Sequence, residues 1–168
     1  LFIGWFALKT GMRVWFFTND PFVIGNLPFY AGILSNIGIL MWCAAATICF
    51  LTAHLTRKQP DSLSAFLFSS GIITSLLLCD DLFQMHRMFY PMLMDMSIMA
   101  VYLAYGIIVL WYAVRFFRSI LKTEYLLFGL SLLLFVTAVV ADILSLLPRG
   151  NTAFSDGFKL AGIATWFA

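Results

Sequence analysis

Residues 29–53 read FYAGILSNIGILMWCAAATICFLTA, twenty-five residues without an Asp, Glu, Lys or Arg. As a helix that stretch is about 37 Å long, enough to cross a hydrocarbon core of about 30 Å. Pro28 introduces it, and the polar run HLTRKQPDS (54–62) follows it. Beyond that run the pattern repeats. Apolar stretches at about 63–84, 96–117 and 124–147 read as three further spans, the last closed by Pro148. The final stretch, DGFKLAGIATWFA (156–168), is 13 residues long and reads as a partial fifth span beginning near Asp156. The opening LFIGWFALKTGMRVWFF is interrupted by Lys9 and Arg13. It reads equally as an interfacial helix or as the tail of a truncated span. The expectation is an all-α, polytopic transmembrane bundle of four complete spans plus a partial fifth. It forms one domain over 1–168, incomplete at both ends, with an N-terminal interfacial helix as one option.

Composition agrees. The chain is 62% hydrophobic and 11% charged, against roughly 45–50% and about 25% for soluble domains. A water-soluble fold of this length has no interior large enough for so much apolar surface. The net charge of +2 gives no footprint for nucleic acid. Cys43, Cys49 and Cys79 lie in apolar runs without CxxC spacing and read as buried, inert thiols. Arg57 and Lys58 in the first loop, with Arg115, Arg118 and Lys122 around the third, place those two connections on the cytoplasmic side by the positive-inside rule.

Polar residues gather toward one membrane face. The second and fourth spans run in the same direction, so Asp80, Asp81 and Asp142 reach similar depth near the ends of those spans. Asn36, Asp95, Tyr102, Tyr105, Asp156 and Lys159 fall on the same side. Helical phase groups Asp81 with Thr74 and Ser70, Asp142 with Ala138, Ser131 and Ser145, and Asn36 with Cys43 and Thr47. Stripes of this kind are expected to face other helices, because lipid offers no hydrogen bonds. Asp80 is rotated about 100° from Asp81 and points along Gln84 and Arg87, which predicts an Asp80–Gln84–Arg87 ladder. Carboxylates near the interface avoid the cost of about 2.5–3.5 kcal/mol that an Asp carries at the bilayer centre. Asn36, Asp80, Asp81, Gln84, Arg87, Asp142 and Lys159 thus form a candidate structural polar cluster.

Several chemistries remain open for it. Asp80, Asp81, His86 and Asp142 are the candidate catalytic residues. Asp81, His86 and Asp142 could ligate a metal with oxygen and nitrogen donors. His86 lies about 140° round the helix from Asp81, however, so both reach one ion only if the helix breaks between them. His54 and His86 are the candidate axial ligands for a haem or pigment. The aromatic fraction of 17% suits a macrocycle, acyl chains or lipid equally. No GxSxG elbow supports a nucleophilic triad.

At PFYAGILSNIGILMWCAAATICF, CDDLFQMHRMFYP and DGFKLAGIATWFA the chain resembles an uncharacterised family of multi-spanning bacterial membrane proteins, cyanobacterial ones included. The resemblance runs from about Asp20 to the end. It implies a DDxFxxHE-like string, further spans after the DGxK helix, and a polar pattern made of Asp80, Asp81, His86, Asp142, Asp156 and Lys159. The chain departs from that string at Arg87, where the family has an acidic residue, which puts an inherited metal or hydrolase role in doubt. The resemblance implies architecture and no established activity.

Small residues such as Gly32, Ser35 and Ala46 permit close helix approach. The function expected is an accessory subunit of a larger membrane complex, in an energy-transducing setting such as a bacterial inner membrane or thylakoid. Its partners would be membrane lipids and other subunits, with lipid or pigment contact and a metal ion less favoured. The alternative is a membrane-embedded enzyme or a cation- or proton-binding protein that uses the Asp/His cluster.

Overall fold

In a computed structural model the chain forms two compact units, Leu1–Ile33 and Leu34–Ala168. The structure describes all residues except 1–3, 5–7, 9–10, 12, 29, 59–62, 96, 146–151 and 168, and it does not describe the side chains at 17, 87, 88, 92, 93, 145, 152, 153 and 167. The choice between an interfacial and a spanning opening segment, residues 1–17, rests largely on residues outside those described.

The first unit contains two single-turn helices, α1 (Trp15–Thr18) and α2 (Pro21–Ile24). Asp20 caps α2 by accepting the amide of Phe22 at 2.8 Å, and Pro21 fills the first helical position, where no amide is needed. Trp15, Phe16, Val23 and Leu27 are exposed.

Among its described residues the second unit consists of helices joined by turns, with no strand. Its helices are α3 (Ile33–Leu55), α4 (Leu63–Phe83), a π-helix (Met85–Phe89), α5 (Tyr90–Met94), α6 (Ile98–Arg115), α7 (Phe117–Ile120), α8 (Tyr125–Ser145) and α9 (Thr152–Phe167). Four of them, α3, α4, α6 and α8, are long and apolar enough to cross a membrane. The multi-pass helical bundle read from the sequence is therefore the architecture observed. The span limits shift by a few residues, and the fifth helix starts at Thr152 rather than near Asp156.

Few of the side chains on these spans are covered by the chain itself. Between 11% and 33% of each span's apolar window is buried. The large apolar side chains left outside, such as Leu103, Ile107, Leu110 and Trp111 on α6, are what lipid requires of a helix surface.

The fifth helix packs one face against the four spans. Ile163 of α9 is 1% exposed, and a Cβ on Gly38 of α3 would stand 3.0 Å from its Cδ1. Gly162 brings α9 against Phe135 of α8, where an added Cβ would meet the ring at 2.9 Å. The Trp166 ring centroid stands 6.2 Å from Trp42 of α3, 5.6 Å from Phe128 of α8 and 6.5 Å from Tyr112 of α6. Its indole nitrogen donates to Thr74 of α4 at 3.1 Å. The short helix thus touches all four spans. Around it, Gly71 of α4 admits Phe50 of α3 so closely that a Cβ would lie 2.8 Å from the ring. Ser64 ties the other end of that pair by donating to the Ala53 carbonyl at 2.9 Å.

Two expectations about helix faces need correction. The Asp81–Thr74–Ser70 and Asp142–Ala138–Ser131 stripes face inward, but Asn36, Cys43 and Thr47 are exposed. The inner face of α3 is instead Gly38, Trp42, Ala45, Ala46 and Ala53, small residues around one indole, which turns the polar stripe outward. Thr47 meets lipid at little cost because its hydroxyl donates to the Cys43 carbonyl at 2.8 Å. The cysteines are likewise not buried: Cys43 and Cys79 are exposed and Cys49 is half-buried.

Candidate functional site

The polar end of the bundle is organised by a break in α4. The helix stops at Phe83, Gln84 takes a left-handed conformation (φ 50°, ψ 43°), and the chain re-enters as the π-helix Met85–Phe89. A non-glycine residue in that region costs about 1–2 kcal/mol, and the Gln84 side chain offsets part of it by donating to the Asp81 carbonyl at 3.0 Å. The break lies between Asp81 and His86, where the metal reading required one.

Its product is different from that reading. His86 turns back onto Asp80 and not onto Asp81. The His86 amide donates to Asp80 Oδ1 at 2.9 Å, and its ring Nδ1 lies 2.6 Å from Oδ2. Tyr105 of α6 donates its hydroxyl to Oδ1 at 3.0 Å, and Tyr90 stands beside Tyr105. With three groups directed at one carboxylate, the imidazole proton belongs on Nδ1 and Nε2 is left to act as acceptor. Both side chains are largely enclosed, at 7% and 12% exposure. Among the described residues Nε2 has no hydrogen-bond partner, and it is not sealed from solvent. Of the predicted Asp80–Gln84–Arg87 ladder, Gln84 bonds the Asp81 carbonyl instead of Asp80, which accepts from His86 and Tyr105. The Arg87 side chain lies outside the described residues.

Asp81, one residue on, faces the other way. Its carboxylate is 2% exposed and is paired with the ammonium of Lys159 from α9. Asp142 of α8 accepts the Tyr102 hydroxyl at 2.6 Å, and the Tyr102 ring lies 5.5 Å from the imidazole of His86. Next to Asp142, the Ser155 hydroxyl of α9 donates to the Ala138 carbonyl at 3.0 Å.

The sequence-selected residues thus gather at one end of the bundle but divide among three partnerships. His86 is with Asp80, Asp81 with Lys159, and Asp142 with Tyr102. Among the described residues no three His, Cys, Asp or Glu side chains group as metal ligands, so Asp81, His86 and Asp142 do not form the shared set proposed for them. His54 is exposed at the far end of α3, roughly 18 Å along that helix from Trp42, while His86 lies at the opposite end of the bundle. The two candidate axial ligands are not brought together. Asn36 and Asp156 are exposed.

Sequence reasoning passed over the tyrosines as chemical groups. Tyr105 shares the inner face of α6 with Val101 and Tyr112, a spacing of four and seven residues that marks them as inward-facing. It also passed over Trp166 and Ser155, because α9 looked like a fragment and is instead the element that touches all four spans.

No curated protein and no solved structure matches the chain. A family model described as a domain of unknown function, DUF8692, matches residues 1–168, and the chain, a multi-pass helical bundle with this polar end, belongs to that family.

Proposed function

We propose that the protein is a membrane-embedded proton-binding protein that exchanges protons at one face of the membrane through the Asp80–His86–Tyr105 unit. The observation that supports this reading is the 2.6 Å contact between Asp80 and the His86 ring in an enclosed setting. A carboxylate on Nδ1 fixes the tautomer and the ring orientation, leaves Nε2 as the proton-accepting atom, and balances the imidazolium charge that forms. Asp142 with Tyr102 places a second carboxylate–hydroxyl pair against the same ring. Infrared difference spectra of the protein in lipid vesicles, recorded across a pH step, test the reading. Paired carboxyl and imidazole bands are expected, and Asp80→Asn and His86→Gln should each abolish them. If the bands persist in both variants, or if wild type shows none, the reading is wrong.

A second reading, the accessory subunit of a larger assembly in an energy-transducing membrane, is favoured by one feature. The Asn36–Cys43–Thr47 stripe faces outward on α3, where another helix would use it better than lipid. Cys43 offers a native thiol for crosslinking on that face. Crosslinks from Cys43 to another membrane chain in native membranes would support the subunit. A chain that migrates alone and stays uncrosslinked would remove it.

A further inference from the structure

A small cavity lies beside the Asp81–Lys159 pair, between α3, α4 and α9. Its volume is about 10 Å³, close to the minimum needed for one water or a small ion. Ser35, Gly38, Asp81, Asp156, Lys159 and Ile163 are among the residues lining it. Three of these supply oxygens, and Gly38 keeps the floor open against Ile163, where a Cβ would stand 3.0 Å from Cδ1. The two charged partners differ in depth. Asp81 is 2% exposed and fixed on α4, whereas Lys159 is 33% exposed and reaches in from α9 on a flexible stem.

We propose that this pocket is a monovalent-cation site whose resident cation is the tethered ammonium of Lys159, and that Na⁺ or a small alkylammonium replaces it when the lysine arm withdraws. The argument is one of chemistry and room. An ammonium group and a small monovalent cation carry the same charge and are satisfied by the same oxygens. A carboxylate this enclosed must keep a positive partner, because leaving it buried and bare is costly. Lys159 is partly exposed and Asp81 is not. Ser35 and Asp156 line the same cavity and offer further oxygens beside Asp81. This site is separate from Asp80 and His86, which face the π-helix and α6.

Chemical rescue tests the proposal. Thermal unfolding of the full chain in detergent is compared for wild type, Lys159→Ala and the double variant Asp81→Asn/Lys159→Ala, at constant ionic strength in choline, sodium or methylammonium chloride. In choline, Lys159→Ala is expected to unfold about 10 °C below wild type. Sodium or methylammonium should restore most of that loss with a saturable dose response, and the double variant should not respond. A Lys159→Ala protein whose response matches that of the double variant overturns the proposal. Lys159→Met, which keeps the apolar stem, serves if the alanine variant does not fold. Sodium-23 relaxation on the wild-type protein gives an independent reading that needs no variant. Enhanced relaxation displaced by methylammonium supports exchange in the native chain, and relaxation no different from protein-free detergent overturns it. The band changes assigned to Asp80 and His86 are read in a separate measurement, so either idea can fail alone.

Discussion

The two ends of the bundle solve the same problem in different ways. Around Trp166 the polar groups close in neutral pairs. The Ser70 hydroxyl donates to the Phe66 carbonyl at 2.8 Å, so in its 2.6 Å contact with Tyr112 the phenol must be the donor. Thr74, with no exposed surface, accepts from the Trp166 indole. Phe66, Tyr112 and Phe116 pack around these pairs. Two turns along the same helices, the Lys159 end holds two adjacent aspartates with opposite partners, a histidine in a π-helix and a backbone break. At the Trp166 end neutral pairs of small polar groups and packed rings join the helices without a charge. At the other end the polar groups are charged and the backbone at Gln84 is left-handed, and it is on these features that the proposed proton exchange rests.

The comparison breaks most visibly at Lys159. In choline chloride, Lys159→Met leaves the Asp81 carboxylate enclosed without a partner and should cost about 3–5 kcal/mol, read by chemical unfolding in detergent. The double variant Asp81→Leu/Lys159→Met should recover most of that loss, since a buried ion pair replaced by well-packed apolar side chains is often neutral for stability. A double variant as unstable as the single one would show that the acidic end is cohesive in the same sense as the aromatic end. Next in size, Trp166→Phe keeps an aromatic ring among Trp42, Phe128 and Tyr112 but leaves the Thr74 hydroxyl without its donor, at about 1–3 kcal/mol. Gly71→Ala should cost a similar amount, because its Cβ would meet the Phe50 ring at 2.8 Å and the ring is held against Phe68. Loss of α3–α4 proximity, followed by a spin-label pair, would accompany it.

How far the sequence could be read follows from the same contrast. Spans are legible because lipid demands length and apolarity, and both are written locally. The 29–53 run therefore marks α3, even though its inner face is set by partners on other helices, Ile163 of α9 against Gly38 and Phe135 of α8 and Trp166 of α9 against Trp42. The one-sided gathering of Asp80, Asp81, Tyr102, Asp142 and Lys159 is legible because alternate spans run antiparallel. Partner choice was not. It depends on the break at Gln84, and no glycine or proline marks that position: the preceding residues are a regular helical run, and Pro91 comes seven residues later. A regular helix would point Asp80 along Gln84 and Arg87. The left-handed residue instead sends the chain back so that His86 presents both its amide and its ring to Asp80.

The smaller effects sharpen the contrast at single groups. Tyr112→Phe removes one interhelical hydrogen bond and leaves Ser70 satisfied by its own helix, so the cost should be about 0.6 kcal/mol and no more than about 1.7. Gln84 is the counterpart at the other end. Replacing it with glycine relieves a left-handed backbone worth about 1–2 kcal/mol but forfeits the bond to the Asp81 carbonyl and adds freedom to the unfolded chain. These contributions nearly cancel, so Gln84→Gly should stay within about 1 kcal/mol of wild type in chemical unfolding. Gln84→Val cannot gain the relief and loses the same bond, so it should fall about 1–2 kcal/mol below the glycine variant. If the two variants unfold alike, the left-handed turn is not what seats His86 on Asp80. The infrared bands expected from that pair should then survive both substitutions. If only the valine variant loses them, the turn at Gln84 is the device that separates the chemical end of the bundle from the cohesive one.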